Sequence, residues 1–120
     1  MAGPDRIMDR KVIHSGASLF REGDVGDRAY LVQEGVIEIV RRRADGTEVV
    51  LGEIGKGGIF GEMALVDDKP RMATARALTA ATLLVVTRDQ FKDKLDAADP
   101  FIRALLKIFV RNIRQISSQI

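Results

Sequence analysis

A mainly β fold with α elements, an antiparallel β-roll of the jelly-roll kind with a helical tail, is what this sequence predicts. Three observations carry the expectation. Residues 12–88 break into short segments rich in β-branched residues, several alternating apolar and polar, as in Val36-Ile37-Glu38-Ile39-Val40. Of 11 glycines, ten lie between Gly16 and Gly61 and punctuate those segments. Beyond residue 88 there is no glycine, and apolar residues recur at spacings of three and four.

KVIH (11–14), SLFRE (18–22), RAYLVQEG (28–35), VIEIVRR (36–42), EVVLGEI (48–54), MATARAL (72–78) and ATLLVVT (81–87) read as strands. The breaks carry turn chemistry: EGDVGD at 22–27, ADG at 44–46 and GKGG at 55–58. Gly23, Gly26, Gly35 and Gly46 are read as turn glycines, and Asp24 and Asp27 as solvated turn carboxylates. FKDKLDAA is a short helix with Asp89 as its expected N-cap. Asp99 then caps a second helix with Pro100 at its first position. That helix runs to Ile120, with apolar positions at Ile102, Leu105, Leu106, Phe109, Ile113, Ile116 and Ile120. Residues 1–120 are expected to form a single domain, the roll over about 11–88 and the tail over about 89–120.

Composition narrows the function. A chain of 120 residues can bury a core without staples. With no cysteine, disulfides and thiolate chemistry are excluded, which fits a reducing compartment. One histidine, His14, excludes a histidine-rich metal site and disfavours a His-based triad; it is placed on a strand. A net charge of +2 is too weak to argue for nucleic acid, and none is expected to bind this chain. No run approaches the roughly 18 apolar residues of a membrane span. The N-terminus MAGPDRIMDRK lacks the apolar core of a signal peptide, so the expected location is cytoplasmic, without membrane contact.

The informative stretch is FGEMALVDDKPRMAT, residues 60–74. Phe60 anchors a turn, and Gly61 allows torsions or a close approach closed to other residues. A one-turn helix starting at Gly61 would direct its free N–H groups at an anion. Arg71 adds a two-pronged, charge-assisted contact to the same anion. Glu62 would repel the anion and is suited to accept hydrogen bonds from hydroxyls beside it. A phosphate next to a sugar hydroxyl meets both demands. Two simpler readings compete: Arg71 pairing on the surface with Asp67 or Asp68, and Glu62 acting only as a helix-dipole charge.

FGEMALxxxxPRMAT resembles the phosphate-binding cassette of the cyclic-nucleotide-binding domain family, found in cyclic-AMP-dependent kinase regulators, cyclic-nucleotide-gated channels and catabolite-activator-type transcription factors. The glycine-marked run IHSGASLFREGDVGDRAYLVQEGVIEIV and the tail FKDKLDAADPFIRALLKIFVRNI extend the resemblance. The resemblance implies that Glu62 accepts the ribose 2′-hydroxyl and Arg71 pairs with the cyclic phosphate. Main-chain N–H groups near Gly61, Met63 and Ala64 would cradle phosphate and ribose, with Met72 and Ala73 lining the pocket. Family members favouring cyclic GMP often place Thr or Ser after the arginine. Met72 offers no such hydroxyl, so cyclic AMP is the expected ligand and cyclic GMP the alternative. Gly58 stands where an acidic residue is common in the family.

The resemblance also makes the last helix a lid over the base, with Arg111, Asn112, Ile113 or Ile116 as the capping residue, and a dimer contact for a homodimer. Its basic stripe Arg103, Lys107, Arg111 and Arg114 is read as a solvated face. Ligand occupancy would move residues 89–120, with the apolar face Met63, Leu65 and Val66 meeting the tail and Phe91 and Leu95 repacking. No nucleophile–base pair appears, so the expected class is a non-catalytic regulatory module acting on a downstream protein or effector domain. The competing classes are an interaction scaffold, the sensor of a longer transcription factor or channel, and a cupin-type enzyme, for which one histidine is too few.

Overall fold

The computed structural model describes residues 9–119. In order, the elements are β1 (Arg10–Ile13), β2 (Ser18–Phe20), β3 (Arg28–Glu34), β4 (Ile37–Arg42), β5 (Glu48–Ile54), β6 (Ile59–Phe60), α1 (Met63–Asp67), β7 (Thr74–Ala77), β8 (Ala81–Thr87), α2 (Arg88–Asp96) and α3 (Pro100–Ser117). The strands form two antiparallel four-stranded sheets, β1-β8-β3-β6 and β2-β7-β4-β5. This is the expected β-roll with two C-terminal helices. Ile120, named above as an apolar position, lies outside the described residues.

Period-two alternation builds the layers. In β7, Ala75 and Ala77 face the core while Thr74 and Arg76 face outward. Arg76 then meets its cross-strand partner Glu38 at 3.1 Å. Ile37 and Leu83 are fully enclosed between the sheets. Tyr30 and Phe60 share this core, with ring centroids 5.3 Å apart. The ADG turn closes the β4–β5 hairpin, with Gly46 at φ 88° and the Arg43 amide donating to the Thr47 carbonyl at 2.8 Å. A register slip pairs Ile39 with Gly52 but Val40 with Val50, leaving Leu51 as the extra residue of a bulge.

Four local expectations change. Ile59–Phe60, read only as part of a turn, forms the edge strand β6, paired to Tyr30 and Leu31 of β3. The strand expected over 72–78 is Thr74–Ala77, because Met72 and Ala73 belong to the preceding loop. The short helix starts at Met63 rather than Gly61, with Glu62 at its N-cap. Thr87, not Asp89, caps α2. The Gln90 amide donates to Thr87 Oγ1 at 3.2 Å and the Thr87 amide to Gln90 Oε1 at 3.0 Å, a reciprocal capping box. Asp89 sits in the first turn, where its charge complements the dipole. Asp99 caps α3 as expected, accepting from the Phe101 amide at 2.8 Å, with Pro100 first in the helix.

Leu83→Ala is expected to lower stability by about 2–5 kcal/mol. The check is the urea midpoint at unchanged slope.

Candidate functional site

The cassette is a loop strung between the two sheets. β6 delivers Phe60 into the core, and Gly61 turns the chain at φ 81°. A Cβ at Gly61 would sit 2.9 Å from Arg71 Nη1 and 3.3 Å from the Arg28 carbonyl, so both torsion and space require glycine there. The first helical bonds run from Leu65 and Val66 amides to the Glu62 carbonyl, so the amides of Met63 and Ala64 precede the ladder. Asp68, left-handed at φ 56°, ends α1 with its amide on the Ala64 carbonyl at 3.0 Å.

Arg71 is only 6% exposed. Its Nη1 donates to the Gly61 carbonyl at 2.7 Å and Nη2 to the Arg28 carbonyl at 2.6 Å. Its Cζ lies 4.0 Å from the centre of the Phe20 ring. Among the described residues its Nε has no hydrogen-bond partner, and no carboxylate lies within ion-pair distance. The surface-pair reading is excluded: Asp67 pairs with Arg114 and Asp68 with Arg88. Burial pulls the Arg71 pKa down, opposed by Tyr30, Asp27, Asp24 and Glu62. Burial pushes the Glu62 carboxyl above its ordinary value, against the lowering pull of its own backbone amide and of Arg71.

Gly61, Glu62, Met63, Ala64, Arg71, Met72 and Ala73 all line one cleft of about 300 Å³. That volume is at the small end of ligand sites, roughly 300–1,000 Å³. Glu62 and Arg71 make its walls polar, while Ile39, Leu51, Ile54 and Ile113 make the remainder apolar. Leu51 and Gly52, at the β5 bulge, are part of this wall.

Helix α3 contributes Ile113 and Arg114 to the cleft; among the four capping candidates, Arg111, Asn112 and Ile116 do not line it. Arg114 was read as part of a solvated stripe, yet its guanidinium engages both Asp67 carboxylate oxygens and donates to the Pro70 carbonyl at 2.9 Å. Ser117, buried, accepts from Arg41 Nη1 at 2.9 Å. Spacing along the helix does not show which stripe member turns inward. The consecutive acids Asp67 and Asp68 thus grip different tail helices, α3 and α2. Leu65 shares a small core with Ala29, Val86 and Phe91, joining the cassette to α2 as expected. Gly26, read as a turn glycine, lacks the positive φ of Gly23, Gly35 and Gly46.

A roll that holds a buried cation, a carboxylate and an apolar recess in one cleft is a small-molecule-binding module. Residues 10–98 match the family model for the cyclic nucleotide-binding domain, and the chain belongs to that family. It is 30% identical over 105 residues to the CRP-like cAMP-activated global transcriptional regulator of Mycobacterium tuberculosis, covering 88% of this chain and 47% of that protein. Among solved structures, the EAL enzyme Bd1971 matches in its cAMP-bound form with TM-score 0.87 at 34% identity, over 92% of this chain and 29% of that one. The cGMP-bound form of the same enzyme matches with TM-score 0.82 at 36% identity, over 88% and 28%. The regulatory domain of Toxoplasma gondii PKA with cAMP matches with TM-score 0.69 at 38% identity, over 72% and 33%. The chain spans about half the length of the curated regulator, and about a third or less of each of the three solved chains. No helix among the described residues is long and apolar enough to cross a membrane.

A carboxyl with a raised folded pKa stabilises the fold while protonated, fully below its unfolded value near 4.3. That contribution is lost as pH rises through the folded value. Ligand-free Glu62→Gln is therefore expected to show a higher denaturant midpoint than the natural chain at neutral pH. The gap should close below about pH 4, as a pH series of unfolding curves will read.

Proposed function

We propose that this chain is a non-catalytic regulatory module that binds a cyclic nucleotide, cyclic AMP in preference to cyclic GMP, and passes occupancy on through its C-terminal helices. One observation carries the reading. Arg71 is a buried guanidinium with no carboxylate partner among the described residues, at the wall of a ligand-sized cleft. A desolvated cation without a counter-ion favours an anion that fits the space. In this reading Arg71 takes the cyclic phosphate, helped by the amides of Gly61, Met63 and Ala64. Glu62 accepts the ribose 2′-hydroxyl, and the backbone of Met72 and Ala73 lines the sugar. The base rests among Ile39, Leu51, Ile54 and Ile113, with Met72 offering no hydroxyl to a guanine amino group.

Helices α2 and α3 are the moving part. Asp68 and Asp67 hold them, so a shift of the cassette on binding changes both contacts. Ile102, Phe109 and Ile116 of α3 are exposed, and this apolar face supports a homodimer through the last helix. The module works in the cytoplasm and signals to a downstream protein or effector domain. That the chain covers 47% of a cAMP-activated transcriptional regulator favours a second reading, the sensor part of a longer regulator.

Titration calorimetry with cyclic AMP and cyclic GMP tests the ligand. Cyclic AMP is expected to bind more tightly, and Arg71→Ala to weaken it by about 1.5–3 kcal/mol, the scale of a lost charged hydrogen bond. Absence of heat with both nucleotides would point to an interaction scaffold instead. Amide exchange across 100–117 tests the output: saturating cyclic AMP should slow exchange in α3, and an unchanged profile would rule out a ligand-driven tail.

A further inference from the structure

Gly26 stands apart from the turn glycines. Gly23, Gly35 and Gly46 have φ of 90°, 90° and 88°, whereas Gly26 has a backbone that any residue can adopt. What requires glycine at this position is space. A Cβ there would lie 2.5 Å from Arg71 Cζ, nearer still to Arg71 Nε, and 2.9 Å from the Ala64 Cβ, all inside the 3.0 Å that real Cβ atoms keep. The guanidinium is therefore seated against the bare Cα of Gly26, with its unpartnered Nε on that side.

The loop carrying Gly26 is fastened at both ends. Toward the cassette, the Arg71 amide donates to the Asp24 carbonyl at 2.8 Å and the Gly23 amide to the Arg71 carbonyl at 2.8 Å. Toward the tail, Arg88 Nη2 donates to the Gly26 carbonyl at 2.7 Å and the Arg88 amide to the Asp27 carbonyl at 3.0 Å. Arg88 is the first residue of α2, and its other guanidinium nitrogen pairs with Asp68. Neither Gly26 nor Arg88 lines the cleft.

We infer that Gly26, held in place by Arg88, is a positioning residue that sets the seat of the Arg71 guanidinium and links that seat to the first turn of α2. The inference rests on the cyclic-nucleotide reading for its effect on binding, and on geometry alone for the seat. A methyl at Gly26 needs no left-handed torsion; its larger conflict is with the flexible end of Arg71, and its smaller one, at 2.9 Å, with the Ala64 Cβ of α1.

A thermodynamic cycle on the full chain tests it. Gly26→Ala should weaken cyclic AMP binding about tenfold when Arg71 is present and have almost no effect in an Arg71→Ala background, since the two act as one unit. Equal losses in both backgrounds would overturn the inference. Arg88→Gln, which leaves Gly26 itself intact, should weaken binding in the same direction. Asp68→Asn, which removes only the other Arg88 partner, should weaken binding less than Arg88→Gln does; indistinguishable affinities for the natural chain and Arg88→Gln would also overturn it. A ligand-free readout separates this failure from failure of the ligand reading. The Arg71 Nε–Hε NMR signal, assigned by its loss in Arg71→Ala, should shift in Gly26→Ala and Arg88→Gln but hold in Asp68→Asn. An unmoved signal in both of the first two variants sinks the positioning role, whether or not a nucleotide binds.

Discussion

A positive charge kept from water without a negative one beside it is the constraint on which the rest of this structure turns. Arg71 is enclosed, and its two terminal nitrogens are satisfied by the carbonyls of Gly61 and Arg28, neutral dipoles rather than ions. The Phe20 ring adds a quadrupole beneath it. Phe20 is in turn stacked with Tyr30, centroids 6.4 Å apart, so the cation rests on the aromatic part of the core. Such an arrangement offsets part of the desolvation penalty and leaves the remainder for an anion to relieve.

The space around that charge is set by backbone rather than by side chains. Gly61 and Gly26 approach it from two sides, and at both a methyl group would collide with the guanidinium. The main chain of the loop before β3 is stitched to the main chain around Arg71. The site is therefore a junction of three segments distant in sequence, near residues 20–28, 61–64 and 71–73. Two neighbouring carboxylates at the end of α1 bind it to the helices beyond. Each acid has its own arginine, so the cassette touches both tail helices through separate ion pairs.

Much of this was legible in the residues. Alternation and glycine punctuation marked seven of the eight strands, since buried sheet faces impose a period of two. The cassette sequence marked seven of the residues that line the cleft. What was not legible depended on tertiary contact. β6 is two residues long and exists because β3 supplies its hydrogen-bond partner. Asp89 and Thr87 are both good N-caps by type; the reciprocal bond with Gln90 selected Thr87. Gly26 lies in a turn-rich string, and only the position of Arg71, 45 residues later in the chain (71 − 26), shows that space rather than torsion keeps it. Arg114 shares its helical stripe with Lys107 and Arg111, and nothing local distinguishes the one that meets Asp67.

Ile113 belongs to two surfaces at once. It lines the cleft, and 46% of its surface is open to solvent. A larger or smaller side chain there alters the recess and the exposed apolar surface of α3 together.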